Sequence, residues 1–275
     1  MRISAHGRWL LFAAVVATAL LVNAPIILTI LNSFQTTEQM LVSKSVFPQS
    51  FSLANYEFLL VRTAYLSFLG NTVLIAAVST LLTLAAAALA GYALSRHHGF
   101  GLTAYSRILL GVQMFPIIMA LIPLFIIFRS LGLINNPLSV ILIYTVVHLP
   151  FATWMFRAFF DSIPRELEEA ALVDGCSRMQ AFGRVVLPLT GPGLAAVAIF
   201  STLFSYNEFF VASVFLRDES TMTIPVGVQM FMQQYATDWG SLMAAATLTL
   251  VPIFISFMFV QKYMVQGNIA GGVKG

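Results

Sequence analysis

The sequence predicts an all-α polytopic membrane protein with six transmembrane helices, and three observations support this fold class. Of its 275 residues 59% are hydrophobic and only 9% are charged, whereas a soluble domain carries about 25% charged residues. Six apolar runs are long enough to cross a hydrocarbon core of about 30 Å, which takes about 20 helical residues. The runs are continuous rather than alternating, which favours helices, because backbone polar groups inside lipid must be paired within their own segment.

The predicted spans lie, in chain order, near 9–32, 67–94, 106–128, 138–160, 190–215 and 242–262. The first run could instead be a signal peptide, since Arg2 and Arg8 precede it. Its apolar stretch continues through Ile30, which is longer than the 7–15-residue core of a signal peptide, so we interpret it as a span. Kinks are expected where proline removes a backbone donor inside a span, at Pro25, Pro116, Pro123, Pro150 and Pro252.

Orientation follows from the distribution of Lys and Arg, which are enriched in cytoplasmic segments. If both termini are cytoplasmic, four of the 14 Lys and Arg residues lie outside and the other ten inside. The four outer ones are Lys44, Arg62, Arg129 and Arg217. The sequence therefore predicts cytoplasmic N and C termini. No low-complexity linker divides the chain, so we expect one transmembrane domain over 1–275.

A charged loop, 161–188, lies between the fourth and fifth spans and is expected on the cytoplasmic side. Asp161 or Ser162 could cap a first helix, whose early glutamates would suit its positive dipole end. Gly175 permits the left-handed conformation that ends a helix, and Ser177 could cap a second one. The loop is thus predicted to be a rigid helical pair that a soluble partner could move. The alternative, an amphipathic helix lying on headgroups, is disfavoured by the acidic residues.

The same loop carries a spaced motif: Glu169-Ala170-Ala171, three residues, Gly175, nine residues, then Val185-x-Leu187-Pro188. It resembles the EAA loop of ABC importer permeases, with Val185 in place of the usual Ile. The run from Phe159 to Gly175 and the triplet Asn207-Glu208-Phe209 resemble the carbohydrate-uptake branch of that family. The tail, Ala270–Gly275, is similar to that of the G-type maltose permease subunits. The resemblance covers essentially the whole chain.

The resemblance implies a membrane-spanning subunit that forms half of the pathway for a mono-, di- or oligosaccharide in the bacterial cytoplasmic (inner) membrane. Residues implied in ATPase coupling are Glu168, Glu169, Ala170, Ala171, Asp174, Gly175, Leu187 and Pro188. The tail residues Gly271, Gly272, Val273, Lys274 and Gly275 would also reach the ATPase. The chain has no G-x-x-x-x-G-K-[ST] loop, so we expect no ATPase activity of its own, with ATP and Mg on a separate subunit. Implied partners are a second, different permease, two ATPase subunits and an extracytoplasmic solute-binding protein.

A candidate pathway segment lies in the fifth span. Glu208 is the only acidic residue inside a predicted span, and such residues usually face the bundle interior or water. Helical spacing would place Ser201, Ser205, Glu208 and Ala212 on one face. The pathway candidates are Glu208, Asn207, Tyr206 and Ser205, with Tyr206 able to stack on a sugar ring. The alternative is that Glu208 only fixes helix packing, and we expect His148 to form a helix-to-helix hydrogen bond.

Other function classes stay open to different degrees. The same machinery could carry a glycerol phosphoester, a polyamine or an amino acid. A secondary transporter should show internal repeats and several ionisable groups at mid-membrane, and an intramembrane enzyme would need a catalytic constellation that the scattered histidines do not offer. The single Cys176 excludes an intrachain disulfide and a multi-cysteine metal site, and no dense basic tract indicates nucleic acid.

Overall fold

The computed structural model of the protein describes residues 5–42, 47–48, 50–232 and 237–271, and helices dominate these ranges. In chain order the helices are α1 (Ala5–Asn32), α2 (Thr37–Val42), α3 (Ala54–Glu57), α4 (Tyr65–Arg96), α5 (Phe100–Met114), α6 (Ile117–Ser130), α7 (Pro137–Asp161), α8 (Arg165–Val173), α9 (Arg178–Ala181), α10 (Leu187–Leu189), α11 (Gly191–Asn207), α12 (Phe210–Phe215), α13 (Ile224–Gly227) and α14 (Trp239–Gly271). Within those ranges β pairing is limited to one isolated bridge between Met232 and Thr237. The all-α prediction is confirmed.

Four helical segments are each long and apolar enough to cross a membrane alone: Gly7–Asn32, Tyr65–Arg96, Pro137–Asp161 and Trp239–Phe259. Two further pairs qualify only when their members are taken together: α5 with α6, bent by 100°, and Arg178–Leu189 with α11, bent by 77°. The part of the chain that the structure describes therefore holds four to six candidate spans. The continuous spans agree closely with the predicted 67–94 and 138–160.

The predicted span 106–128 is not one kinked helix. It is broken between α5 and α6, where Phe115 is extended (φ −84°, ψ 122°) and Pro116 precedes the first residue of α6. Proline disfavours the helical conformation of the residue before it and donates no hydrogen bond, which explains the break. Pro123 and Pro150, by contrast, lie inside continuous helices.

The predicted span 190–215 is also interrupted. Helix α11 ends at Asn207, Glu208 is extended (ψ 126°), and α12 begins at Phe210. The expected helical face that joins Ser205 to Ala212 through Glu208 therefore does not form, because the helix is interrupted between them.

The chain packs as two compact units, of which one comprises 1–66 and 228–251. In this unit the carboxamide of Asn55 donates to the carbonyls of Ser33 (2.8 Å) and Gln35 (2.7 Å). The carboxylate of Asp238 accepts from Thr37 Oγ1 at 2.6 Å and from the Ser241 amide at 3.1 Å. Burial raises the pKa of Asp238, but the hydrogen bonds from Ser241 and Thr37 outweigh it and hold that pKa below its usual value.

The other unit comprises 67–227 and 252–275 and contains two buried apolar clusters. One joins α4 and α7 to α12 through Ile75, Tyr144 and Phe215. The second joins α4, α7, α11 and the π-helical turn Phe182–Val186 through side chains that include Ala87, Ala88, Ala152, Phe156 and Val197. The Ala-rich stretch of α4 thus forms a close helix contact within the chain, as small residues at membrane helix interfaces allow.

Candidate functional site

Helix α8, the candidate coupling helix, ends in a Schellman motif. Gly175 has φ +88°, and its amide donates to the Leu172 carbonyl at 3.1 Å while the Cys176 amide donates to the Ala171 carbonyl at 3.0 Å. These two bonds satisfy carbonyls that a helix end otherwise leaves free. The predicted helix end at Gly175 is confirmed.

The start of α8 differs from the expectation. The helix begins at Arg165 after Pro164, and no side chain in the described ranges caps it. Ser162 instead follows the last residue of α7, and Asp161, the last residue itself, accepts a hydrogen bond from Ser95 Oγ at 2.6 Å. Pro164 itself occupies the N-cap position of α8, so neither predicted cap is used.

A second short helix, α9, follows with the cap that the sequence predicts. Ser177 Oγ accepts from the Gln180 amide at 3.3 Å, and Gln180 Oε1 accepts from the Ser177 amide at 2.8 Å. This reciprocal pair is a capping box and satisfies two donors at the helix start. The chain then continues toward α11 through a π-helical turn, in which the side chains of Phe182 and Val186 are buried.

The eight residues predicted to couple to an ATPase differ in their exposure. Glu168 and Ala171 are buried and Leu187 is half-buried, whereas Glu169, Ala170, Asp174, Gly175 and Pro188 are exposed. Residues 168 and 171 are three apart and share one side of a helix. Within the chain, α8 is therefore anchored through one face and leaves the other to solvent.

The buried face of α8 is held by a residue that sequence reasoning missed. The guanidinium Nε of Arg96 lies 2.9 Å from Glu168 Oε2, and the two side chains are only 7% and 12% exposed. Glu168 Oε1 accepts a hydrogen bond from Tyr92 Oη. Tyr92 and Arg96 are four residues apart on α4, so one face of α4 occupies both carboxylate oxygens. In the sequence, Arg96 contributes only a positive charge that indicates orientation.

Glu208 lies at the break between α11 and α12, where its carboxylate acts as a cap. It accepts from the Val211 amide at 3.0 Å, from the Ala212 amide at 3.2 Å and from Tyr144 Oη at 2.6 Å. A carboxylate satisfies the free amides of a first helical turn and interacts favourably with the helix dipole. Both roles considered for Glu208 thus have a physical basis here, since it orders the break and borders a cavity.

That cavity, of about 560 Å³, is lined by Tyr144, His148, Asn207 and Glu208 together with aromatic side chains that include Phe204 and Phe210. The expected helix-to-helix hydrogen bond of His148 does not form at its Nδ1, which is buried without a partner among the described residues. Its ring instead packs against Tyr144 and Phe204. Amide, hydroxyl and carboxylate groups beside aromatic faces can bind hydroxyl edges and apolar ring faces of a solute.

The other two pathway candidates lie elsewhere. Ser205 is buried, and its hydroxyl lies 3.1 Å from that of Ser79 on α4. Tyr206 is 3% exposed and borders a separate, apolar cavity of about 310 Å³ with Val73 and Pro252. The structure therefore brings Asn207 and Glu208 together at one cavity, and it places Ser205 and Tyr206 in the packing of α11.

The predicted tail contact cannot be located, because Gly272, Val273, Lys274 and Gly275 lie outside the described residues and Gly271 is the last residue of α14. Among the residues that the structure does describe, no group of three or more His, Cys, Asp or Glu side chains could hold a metal ion.

Known proteins are similar in sequence to this chain over nearly its whole length. The family model "Binding-protein-dependent transport system inner membrane component" matches residues 83–269. The chain is 37% identical over 272 residues to the sulfoquinovosyl glycerol transport system permease protein SmoH of Agrobacterium fabrum, covering 98% of this chain and 95% of that protein. It is 33% identical to the trehalose/maltose transport system permease protein MalG of Thermococcus litoralis, with 100% of both covered.

A solved structure shows the same fold. The structure of a bacterial ABC transporter involved in the import of the acidic polysaccharide alginate matches with a TM-score of 0.79 at 23% identity, covering 96% of this chain and 99% of that one. The chain belongs to the family of binding-protein-dependent transport system inner membrane components, the multi-pass permeases of ABC transporters.

Proposed function

We propose that this chain is one of two different permeases of an ATP-driven importer and forms half of the pathway for a sugar. The observation that carries the proposal is the division of α8, whose inner face is bound within the chain while Glu169 and Gly175 are exposed for a partner. The similar permeases are named for sulfoquinovosyl glycerol and for trehalose and maltose, which supports a sugar as the solute.

The proposed topology has six spans, with each bent pair crossing the membrane once. Both termini and the loop 161–188 would then lie in the cytoplasm, where Lys and Arg are concentrated. This arrangement puts α8 on the same side as a cytoplasmic ATPase and the 560 Å³ cavity within the membrane region. The tail from Gly271 to Gly275 would extend from the end of α14 toward that ATPase.

ATP hydrolysis would belong to the partner subunits, which hold ATP and Mg. Closure of two ATPase subunits would displace α8 through its exposed face, where Glu169 and Asp174 offer negative charge to a cationic cleft. A ligand shifts a conformational equilibrium only through a difference in affinity between the two states. The docking surface must therefore bind one state of the permease pair more tightly than the other.

The solute would pass the cavity beside Asn207 and Glu208. Among the described residues that line it, none is Lys or Arg, and the Glu208 carboxylate would repel an anion in surroundings of low dielectric constant. An uncharged sugar fits this lining better than a sulfonated or phosphorylated one. Ser205 and Tyr206 would act on the pathway by holding α11 in place.

The deciding experiment is purification of the tagged chain from its native membrane in mild detergent, followed by mass spectrometry of what accompanies it. An ATPase, a second permease and a solute-binding protein are expected, and sugar retained by the binding protein would identify the solute. A chain that is purified alone or as a homodimer would refute the proposal and favour a secondary transporter.

A further inference from the structure

At the inner end of α4, the side chain of Arg96 bonds both to α8 and to the end of α7. Arg96 Nε donates to Glu168 on α8 at 2.9 Å. Its Nη1 donates to the Phe160 carbonyl at 3.1 Å and its Nη2 to the Ile163 carbonyl at 3.3 Å. Those carbonyls belong to the end of α7 and to the connection that leads into α8. One guanidinium therefore joins three consecutive parts of the chain to α4.

Arginine is suited to this position in a way that lysine is not. A guanidinium presents five donors in a rigid planar fork, so it can bond a carboxylate and two carbonyls at once, whereas an ammonium is a compact point charge. The carbonyls at the end of a helix lack intrahelical partners and carry partial negative charge, which a cation satisfies. The geometry of Arg96 uses these properties together.

Neighbouring bonds reinforce the same junction. Ser95 Oγ donates to Asp161 at 2.6 Å, and Arg165 Nη2 donates to the Ser95 carbonyl at 3.3 Å. Tyr92 Oη donates to the second oxygen of Glu168. By contrast, the half-exposed ion pair of Arg157 and Asp161, at 3.6 Å, is formed within α7 itself.

We propose that Arg96 is a positioning residue that makes α8 move as one body with the inner ends of α4 and α7. Arg96, with Glu168, Tyr92 and the carbonyls of Phe160 and Ile163, is called the Arg96 latch. Without it, the connection 162–164 between α7 and α8 would absorb a displacement of α8 by rotating about its backbone dihedrals. With it, force applied to the exposed face of α8 reaches two spanning helices. This inference rests on the proposed function, because it presumes that an ATPase docks on α8.

The test uses the whole purified complex in lipid nanodiscs, with Mg–ATP and the co-purified binding protein as probes. Its readout is the factor by which the binding protein stimulates ATP hydrolysis, since a signal from the binding protein can reach the ATPase only through the spanning helices and α8. Glu168→Gln keeps the shape of the side chain but removes its charge, and Arg96→Lys keeps the charge but not the fork. Both should reduce the stimulation about five- to tenfold, the lower end of the range for coupling between two sites, while the ATPase still co-purifies. Arg157→Gln, the matched control, should leave it unchanged.

A double variant separates positioning from stability. Arg96→Met with Glu168→Leu removes both charges and leaves no unpaired ion, so the complex should assemble even if a single variant does not. The latch predicts that stimulation stays low in the double variant. Restored stimulation in the double variant, or undiminished stimulation in assembled single variants, would overturn the inference. If no ATPase co-purifies with the wild-type chain, the proposed function is refuted instead.

Discussion

Gly91 sets the separation of α4 and α7, and this can be tested with an alanine at that position. A Cβ at Gly91 would lie 2.8 Å from Phe156 Cβ and 3.0 Å from both the Arg157 amide nitrogen and the Thr153 carbonyl oxygen. All three atoms belong to the backbone or to its first side-chain carbon, so none can rotate away. The helices must therefore move apart to accept a single methyl group.

The expected size follows from two opposing effects. Overpacking a well-packed contact costs about 1–3 kcal/mol, while replacing glycine inside a helix by alanine stabilises by about 0.5–1 kcal/mol. Gly70 lies on the same helix, and no described atom comes within 4 Å of the point that a Cβ there would occupy, so Gly70→Ala retains only the favourable effect. The two variants should differ in free energy of unfolding by about 1–3 kcal/mol, the overpacking cost alone.

The assay is equilibrium unfolding of the purified full-length chain in mixed detergent micelles, with increasing mole fractions of SDS. Tryptophan fluorescence follows the unfolding, because Trp154 lies on α7 with its ring centroid 5.2 Å from Arg157 Cζ. Gly70→Ala should unfold at the same SDS fraction as the wild type or a higher one, and Gly91→Ala at a lower one. Equal midpoints for the two variants would show that Gly91 does not determine the helix separation.

Three other changes have clear expected outcomes. Gly175→Val should uncouple uptake from ATP hydrolysis without loss of membrane insertion, because a residue with a side chain in the left-handed conformation costs about 1–2 kcal/mol. The control Gly175→Asn should retain uptake, and normal uptake by the valine variant would contradict this expectation. Glu208→Ala leaves the Val211 and Ala212 amides without their cap, so uptake should fall more than the yield of assembled complex; loss of assembly first would favour a packing role. Asp238 contributes stability that is present above its ordinary pKa of 3.8 and is lost as pH falls through its lower folded-state pKa, so Asp238→Asn should flatten the acid limb of a thermal-melting profile.

The continuous spans could be predicted because membrane thickness imposes a length on apolar runs. The predicted 138–160 and the observed Pro137–Asp161 differ by one residue at each end. The broken spans could not be predicted in the same way. Pro116 and Pro123 are equivalent to a local rule, yet only Pro116 lies at a break between helices, whereas Pro123 lies inside α6.

The break at Glu208 escaped prediction for a different reason. Nothing in the local sequence signals a helix end at Asn207, so the predicted helix continues through that residue. Glutamate is also not among the residues preferred as helix caps, and its partners include Tyr144, which lies 64 residues away. A bond over that sequence distance leaves no periodic pattern. Of the four pathway candidates, only the two at the break therefore border the cavity beside Tyr144.

Glu168 and Glu169 show why adjacent identical residues on a short helix can serve different purposes. Consecutive residues on an α-helix point about 100° apart, so a helix that packs through one face buries the first glutamate and exposes the second. The sequence indicates that both are acidic and early in α8, but only the position of Arg96 decides which one faces inward. A positive charge at the end of an apolar run is a topological signal, and here the same charge also holds α8 to the spanning helices. Charge substitutions at 168 and at 169 should therefore impair uptake in different ways. The first should loosen α8 from the rest of its own chain, and the second should weaken the contact of α8 with a partner.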